Sequence, residues 1–213
     1  MRYIDMENWP RREHFQLFGS LDHPHWGLTA NVDLTALGPF VKQHGLKFTT
    51  ALVYLLTQAA NAIPEFRQRI RGDRVVEHDI VHPGITVLSD DGRFGFCFFE
   101  YVGDFHEFAR RAAGEMACVR AHPTLEDRPG DEWLYMTAIP WVSFTGFEHP
   151  MQLHPGDSIP RFAWGKFFED GGRVKMPLQV QGHHGLMDGL HVGRFYQRLQ
   201  ELLDDPEAAL GLT

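Results

Sequence analysis

A short segment near the carboxyl end of the chain carries the residues best suited to acid–base chemistry. Its residues are Gln181-Gly182-His183-His184-Gly185-Leu186-Met187-Asp188-Gly189. They fall where a predicted strand ends and a predicted helix begins, and the backbone at such a junction can hold a side chain rigidly in a cleft. An imidazole has an ordinary pKa of about 6.5, so at neutral pH it is mostly an unprotonated base that can accept a proton from a hydroxyl. His184 is therefore a candidate general base, and Asp188 lies where its charge would meet the positive end of a helix dipole.

Two other interpretations of this segment stay open on the residues alone. Adjacent histidines beside a glycine are commonly a polar turn without a catalytic role. In addition, His184, Asp188 and His191 are spaced i, i+4 and i+7, which on a continuous helix would place three metal ligands on one face. Gly185 and the strand character of residues 176–182 argue that His184 is not helical. The three side chains would then not share one helix face. We therefore predict no metal site.

Helical periodicity predicts three helices. The first covers residues 49–62, with Thr49 or Thr50 as its cap and Pro64 ending it. The second runs from the capping residue Asp104 to about residue 116. The third begins near Asp188 and runs to about residue 203, with apolar side chains on one face.

Alternating apolar residues and turn signals predict several strands between these helices. The predicted strands cover residues 85–88, 94–101, 134–139, 142–147 and 176–181. Turn signals stand at Pro129-Gly130, His154-Pro155-Gly156 and Asp170-Gly171-Gly172, and Asp91-Gly92 is a hairpin signal. Because strands and helices are intermixed, we predict an α/β fold of the α+β sandwich type. It has one mixed, largely antiparallel sheet with helices packed on it.

Composition predicts one globular domain over residues 1–213. The chain is 43% hydrophobic, and it shows no repeat or linker that would separate two cores. A net charge of -8 argues against nucleic acid as a partner. No run approaches the ~20 apolar residues of a membrane span, and the amino-terminal residues lack the apolar block of a signal peptide, so we expect no membrane contact and a cytoplasmic location. Cys97 and Cys118 are expected to be buried thiols.

Four segments resemble, in order and spacing, the chloramphenicol acetyltransferase family from about residue 3 to residue 203. His183-His184-Gly185-Leu186-Met187-Asp188-Gly189-Leu190-His191 resembles the family's HHxxxDGxH signature. The other three are Trp9-Pro10-Arg11-Arg12-Glu13-His14-Phe15, Pro64-Glu65-Phe66-Arg67 and Pro140-Trp141-Val142-Ser143-Phe144-Thr145. A bare HxxxD would be a weak signal, because many CoA-dependent acyltransferases carry one. Four collinear motifs make the resemblance specific.

The resemblance implies an acetyl-CoA-dependent O-acetyltransferase that acts without a metal and without a covalent acyl-enzyme, in an antibiotic-resistance setting. In that family pattern His184 is the general base, and Asp188 is a structural residue that pairs with Arg11. Lys166, in a Gly-Lys-Phe segment, would lie near the coenzyme together with Trp141 and Phe167. The family also implies a homotrimer with sites at the subunit borders.

Two positions depart from the family pattern. Thr137 stands where the family places a serine that stabilises the oxyanion of the tetrahedral intermediate. Its hydroxyl can donate the same hydrogen bond, but β-branching restricts its χ1 angle. Ala163 stands where the family places a threonine that orders water, and alanine cannot make that contact.

The acceptor pocket implied by the resemblance is rich in aromatic residues. Its predicted lining is Phe18, Trp26, Phe94, Tyr135, Phe147, His149 and Met151, with Arg161 close by. Each of these alone could be plain core, but together they suit a flat aromatic acceptor. His149 and Arg161 are unexpected beside a nitrophenyl group. The expected acceptor is therefore chloramphenicol or a related molecule, with another small alcohol, a catalytically silent CoA-binding relative and a metal hydrolase as alternatives.

Overall fold

A computed structural model describes residues 1–153 and 156–212 of the chain. The predicted turn at His154-Pro155-Gly156 therefore lies largely outside the described residues. The elements in chain order are β1 Arg2–Tyr3, α1 Arg12–Gly19, β2 His25–Asp33, α2 Leu37–Gln43, α3 Phe48–Asn61, a 3-10 helix Pro64–Arg67, β3 Gln68–Arg71, β4 Arg74–Glu77, β5 His82–Leu88, β6 Phe94–Phe98, α4 Phe105–Ala121, β7 Trp133–Ile139, β8 Arg161–Gly165, β9 Phe168–Asp170, β10 Arg173–His183, α5 Gly189–Asp204 and α6 Pro206–Leu210.

The main sheet has the strand order β2-β10-β8-β7-β5-β6, and β9 pairs with β10. Strand β10 is antiparallel to β2, β8 and β9, and β5 forms an antiparallel hairpin with β6. Strand β7 is parallel to both of its neighbours, β5 and β8. The predicted mixed, largely antiparallel sheet with packed helices is confirmed. The sequence patterns did not predict the small second sheet, with order β1-β4-β3.

Helices α3 and α5 contact each other, and both reach the main sheet. Leu52 and Leu55 on α3 and Phe195 and Leu199 on α5 are fully buried. The Phe195 ring stacks on Phe66 with centroids 5.0 Å apart. Since burying a large apolar side chain contributes about 1.5–3 kcal/mol, these contacts fix the direction of α5. They thereby fix the position of its amino end, where the candidate histidine lies.

The helix predictions were correct in position and partly wrong in detail. Helix α3 agrees with the predicted range to within one residue at each end, but neither Thr49 nor Thr50 caps it. The capping position is Lys47, whose side chain makes no capping bond, and Thr50 is buried instead. Asp104 caps α4 as predicted, accepting a hydrogen bond from the Glu107 amide at 2.7 Å.

The predicted strand over residues 142–147 was wrong. Strand β7 is already paired on both sides, and Pro140, which lacks an N–H, follows its last residue. The chain therefore leaves the sheet at this point. The Val142 carbonyl still bonds back to the residue after β8, accepting from the Lys166 amide at 2.9 Å.

The two cysteines differ in environment. Cys97 on β6 is buried as predicted, and burial raises the pKa of its thiol to about 12. Cys118 is exposed, so its predicted burial was wrong. The reason is that α4 continues past residue 116 and carries Cys118 on its outer side. Among the residues described, no helix combines the length and the apolar character needed to cross a bilayer.

Candidate active site

The segment that carries the candidate histidine forms a tight turn between β10 and α5. Strand β10 ends at His183, the turn follows, and Asp188 is the N-cap of α5. The His184 amide donates to the Pro24 carbonyl at 2.8 Å, which ties the turn to the residues before β2. A side chain at Gly185 would lie 3.1 Å from the His183 ring and 3.2 Å from the Phe15 backbone. A larger residue there would crowd both neighbours, so glycine suits this closely packed turn.

The His184 ring is held by aromatic contacts. It stacks on Phe18 of α1 with centroids 3.8 Å apart and an interplanar angle of 3°. Trp26 lies at 5.3 Å from the same ring, and its indole nitrogen donates to the Met187 carbonyl at 3.1 Å. Nδ1 of His184 is buried and has no hydrogen-bond partner among the described residues. Nε2 is therefore the ring nitrogen that can face an incoming hydroxyl.

Arg11 joins the helix cap to the candidate histidine. Its Nη1 lies 2.6 Å from Oδ2 of Asp188, and its Nη2 donates to the His184 carbonyl at 3.1 Å. The other Asp188 oxygen accepts from the Leu190 amide at 3.0 Å, as an N-cap does. Partial burial opposes ionisation of Asp188, but the Arg11 hydrogen bond and the nearby His191 outweigh it and lower the pKa of Asp188 to about 2.

His191 contributes to the same brace. Its Nδ1 lies 2.9 Å from Oδ1 of Asp188 and 3.1 Å from the Asp188 amide nitrogen, in the arrangement of a capping box. Its Nε2 lies 3.4 Å from Oε1 of Glu65. The i, i+3 spacing of Asp188 and His191 is a sequence signal for this box, although the spacing of His191 from His184 pointed to a metal ligand instead.

The metal triad considered from spacing is not assembled. His184 lies on the turn and not on α5, while Arg11 and His191 already contact the Asp188 carboxylate. The described residues contain a different group of possible ligands, formed by His78, Asp131 and Glu132. Arg71 pairs with Asp131 there at 2.6 Å, and this neighbouring cation disfavours a second one.

A cavity of about 400 Å³ opens beside β5, β6 and β7. Its lining includes the predicted residues Phe94, Tyr135, Thr137, Phe147 and His149, together with Arg161. Further lining residues that the sequence analysis missed are Phe96, Phe98, Asp127 and Met136. The cavity wall is mainly apolar, with several aromatic rings, which suits an apolar ring.

Three residues predicted for this pocket do not line it. Phe18 and Trp26 contact the His184 ring instead, and Met151 accepts a hydrogen bond from Gln181 through its sulfur at 3.0 Å. The aromatic residues expected in one wall therefore divide into two groups, and the acceptor-binding role of these three residues stays a prediction. His184 is also absent from the lining of this cavity.

Thr137 lies on β7 with its hydroxyl oxygen 2.7 Å from that of Thr86 on β5. On the other side of β7 its register partner is Ala163, which is fully buried. Both threonines line the cavity. The structure therefore places the candidate oxyanion donor at a wall of the pocket, next to a second hydroxyl that the sequence analysis did not consider.

The candidate coenzyme residues lie together on the surface. Trp141 is 65% exposed and Phe167 is 56% exposed. The bond from the Lys166 amide to the Val142 carbonyl joins their two segments. Gly165 permits this approach, because a Cβ there would lie 2.7 Å from that carbonyl oxygen. An exposed ammonium beside exposed rings is chemically suited to a phosphate and a flat base.

His183, beside the candidate base, gives a pH prediction. Its Nδ1 accepts from the Gly185 amide at 3.1 Å, and burial and the adjacent His25 lower its pKa to about 4. Between pH 6.5 and 4 the unfolded chain therefore binds a proton that the folded chain does not, and stability falls as pH falls through this window. We expect urea unfolding at pH 7, 6, 5 and 4.5 to show this decline. His183→Gln, which can still accept from Gly185, should make it shallower by up to about 1.4 kcal/mol per pH unit.

The exposed His122 provides the control for that measurement. His122→Gln should follow the wild-type pH dependence. Equal slopes in His183→Gln and the wild type would contradict the assignment of this window to His183.

Comparison with known proteins decides the family. The family model described as chloramphenicol acetyltransferase matches residues 1–200. The chain belongs to this family. A chloramphenicol acetyltransferase of Klebsiella sp is 34% identical over 204 residues, which are 95% of this chain and 93% of that protein. Chloramphenicol acetyltransferase 2 of Escherichia coli is 33% identical over 208 residues, covering 95% of this chain and 96% of that protein.

A solved structure of a chloramphenicol acetyltransferase superposes with a TM-score of 0.83 at 28% identity, covering 95% of this chain and 99% of that one. The fold and the sequence thus agree on the family. Members of this family are acyltransferases, and the protein is accordingly an acyltransferase whose co-substrate is acetyl-CoA. The family signature falls on the turn that Arg11 braces.

Proposed function

We propose that the protein transfers the acetyl group of acetyl-CoA to a hydroxyl of chloramphenicol or a closely related small molecule. The geometry of His184 carries this proposal. Its ring is stacked on Phe18, its carbonyl is held by Arg11, and its buried Nδ1 leaves Nε2 for the acceptor. An imidazole fixed in this way needs little reorganisation before it accepts a proton.

In the proposed reaction His184 removes the proton of the acceptor hydroxyl while the hydroxyl oxygen bonds to the thioester carbonyl carbon. The carbonyl electron pair moves onto its oxygen, and the Thr137 hydroxyl donates a hydrogen bond to that oxyanion. When the intermediate collapses, the carbon–sulfur bond breaks, and the thiolate of CoA takes the proton from the imidazolium. Arg11 and Asp188 are positioning residues in this scheme, because they contact the turn and not the reacting atoms.

The exposed group formed by Lys166, Trp141 and Phe167 is the proposed coenzyme contact. A lysine ammonium can pair with a phosphate of CoA, and exposed aromatic rings can pack on its adenine or pantetheine portions. The argument for this role is their adjacency, which the bond from the Lys166 amide to the Val142 carbonyl maintains.

The proposed assembly is a homotrimer with each site at a border between subunits. Its support within the chain is the separation of two functional groups: His184 does not line the cavity that contains Thr137 and Arg161. A second copy could supply a histidine to the cavity of the first. Sedimentation analysis should find three chains per particle. We place the enzyme in the cytoplasm, where acetyl-CoA is available.

A thiol-release assay tests the proposed function. Purified protein, acetyl-CoA and millimolar chloramphenicol should release free CoA at a rate that depends on the drug, and a chelator should leave this rate unchanged. Loss of activity to the chelator would favour the metal hydrolase. No drug-dependent release would contradict chloramphenicol as the acceptor.

A different small alcohol is the second candidate acceptor, and the polar end of the cavity favours it. Arg161 lines the cavity, with its Nη2 at 2.5 Å from the Asp157 carboxylate behind it. His149 also lines it; burial lowers the pKa of its ring to about 4, so this ring is neutral at pH 7. A ring bearing a hydrogen-bonding substituent would suit this end better than a fully apolar one. The same assay with a panel of aromatic alcohols distinguishes the two candidates.

A catalytically silent relative is the remaining alternative. It would be stabilised against heat by CoA, yet it would release no CoA with any alcohol. The presence of Arg11, His184 and Asp188 together in one bonded unit argues against it, because a chain that had lost activity would have no reason to keep all three.

A further inference from the structure

Two threonine hydroxyls meet at the wall of the acceptor cavity. Thr86 on β5 and Thr137 on β7 occupy adjacent parallel strands, where the register pairs Ile85 with Met136. Their Oγ1 atoms are 2.7 Å apart, and both residues line the cavity. Each is half-buried, so neither side chain is enclosed in the core. The pair is therefore part of the proposed site and not of the closed core.

Only one of the two hydroxyls can donate in this pair. If Thr137 donates to Thr86, its single proton is used and cannot reach a developing oxyanion. If Thr86 donates to Thr137, the Thr137 proton is free to point into the cavity. In the described part of the chain neither hydroxyl makes another hydrogen bond. Which of the two hydroxyls donates therefore decides where the Thr137 proton points.

The restricted rotation of the Thr137 side chain increases the importance of which hydroxyl donates. The β-branch of Thr137 restricts its χ1 angle, so the oxygen cannot swing freely toward a substrate as a serine oxygen could. Ala163, its neighbour across β7, has no hydroxyl to offer. Thr86 is thus the described side chain placed to orient the Thr137 proton.

We propose that Thr86 is a positioning residue that donates a hydrogen bond to Thr137 and so directs the Thr137 proton at the oxyanion. This inference rests on the proposed acetyl transfer. As the acceptor oxygen bonds to the thioester carbon, negative charge grows on the carbonyl oxygen, and the Thr137 hydrogen bond strengthens. The Thr86 proton stays on Thr86 throughout. The bond from Thr86 polarises the Thr137 hydroxyl, which makes Thr137 a better donor.

Thr86→Val tests the inference, because it keeps the shape of the side chain and removes the hydroxyl. We expect kcat to fall about tenfold while KM for acetyl-CoA and for the acceptor changes less than twofold. Thr86→Ser should restore kcat to within about threefold of the wild type. Thr137→Val should lose about 10²–10³-fold in kcat, as expected for an oxyanion donor. The double variant should be no worse than Thr137→Val alone, since Thr86 acts only through Thr137.

Several outcomes are distinguishable in this experiment. Thr49→Val, on α3, is the control and should keep wild-type kcat. A folded Thr86→Val with wild-type kcat would overturn the inference alone, as would failure of the serine variant to rescue or full additivity in the double variant. If valine prevents folding, Thr86→Ala supplies the same loss of the hydroxyl. A wild type without acceptor-dependent CoA release would overturn the proposed function, and this inference with it.

Discussion

Replacing His184 with alanine should reduce kcat by about 10²–10⁴-fold, which is the usual contribution of a positioned general base. The reason is that the variant keeps the braced turn but has no group to accept the proton of the acceptor hydroxyl. KM for acetyl-CoA should change little, because the proposed coenzyme residues lie on other segments. His184→Gln should behave in the same way, since an amide of similar size cannot act as a base at neutral pH. The measurement is steady-state CoA release at saturating substrates.

His106→Ala is the matched control for that prediction. His106 is exposed on α4, outside the proposed site, so its loss should leave kcat and KM at wild-type values. Thermal unfolding of His184→Ala should remain cooperative, because His184 lies on a turn and is only half-buried. A His184 variant that keeps more than about a tenth of wild-type kcat would contradict the general-base role.

Removing one partner of the Arg11–Asp188 pair should cause the second large effect, on stability. We expect Arg11→Ala or Asp188→Ala to cost about 3 kcal/mol, the lower end of the range for buried pairs, because the Asp188 side chain is still 30% exposed. The turn that holds His184 loses its brace in both variants, so kcat should fall as well. Urea unfolding and CoA release measure the two effects.

The pH dependence identifies the Asp188 contribution. Its pKa is about 2 in the folded chain against an ordinary value of 3.8, so the carboxylate contributes stability that is present above about pH 4 and lost as pH falls toward 2. The difference corresponds to roughly 2 kcal/mol. Asp188→Ala should lack this part of the pH profile.

The exposed pair between Arg198 and Glu201 on the same helix is the control. Glu201→Ala should cost less than about 0.5 kcal/mol and leave kcat unchanged, because exposed ion pairs contribute little. Equal costs for Glu201→Ala and Asp188→Ala would contradict the proposed brace.

Local signals in the sequence predicted the elements that carry the site. The strand over 176–181, the turn at Gly185 and the helix start near Asp188 are all marked by residue patterns a few positions long, and the structure shows each of them. The same holds for the cap of α4 at Asp104. Where the local signal was ambiguous the prediction failed, as in the predicted strand after Pro140, whose alternating residues follow a strand that is already paired on both sides.

Contacts between segments that are far apart in the sequence were harder to predict. The resemblance to the family named Arg11 as the partner of Asp188, 177 residues away, and the structure contains this pair. By contrast, the aromatic residues expected in one pocket divide into two groups, with Phe18 and Trp26 on His184 and Phe94 and Tyr135 at the cavity. Residue type alone cannot assign each residue to one group, because an aromatic side chain suits the surroundings of His184 and the cavity wall equally well.

The sequence by itself determined the kind of chemistry and the local frame that holds it: a histidine on a strand–turn–helix junction with an aspartate at the helix start, in a chain whose motifs resemble those of an acetyltransferase. Periodicity, capping and glycine positions involve residues that are close together in the sequence, so they can be recognised without knowledge of the fold. Tertiary structure alone decided which side chains share a wall. It stacked His184 on Phe18 and set the Thr86 hydroxyl 2.7 Å from that of Thr137. Such contacts depend on strand register and helix packing across the whole core, which no local pattern encodes.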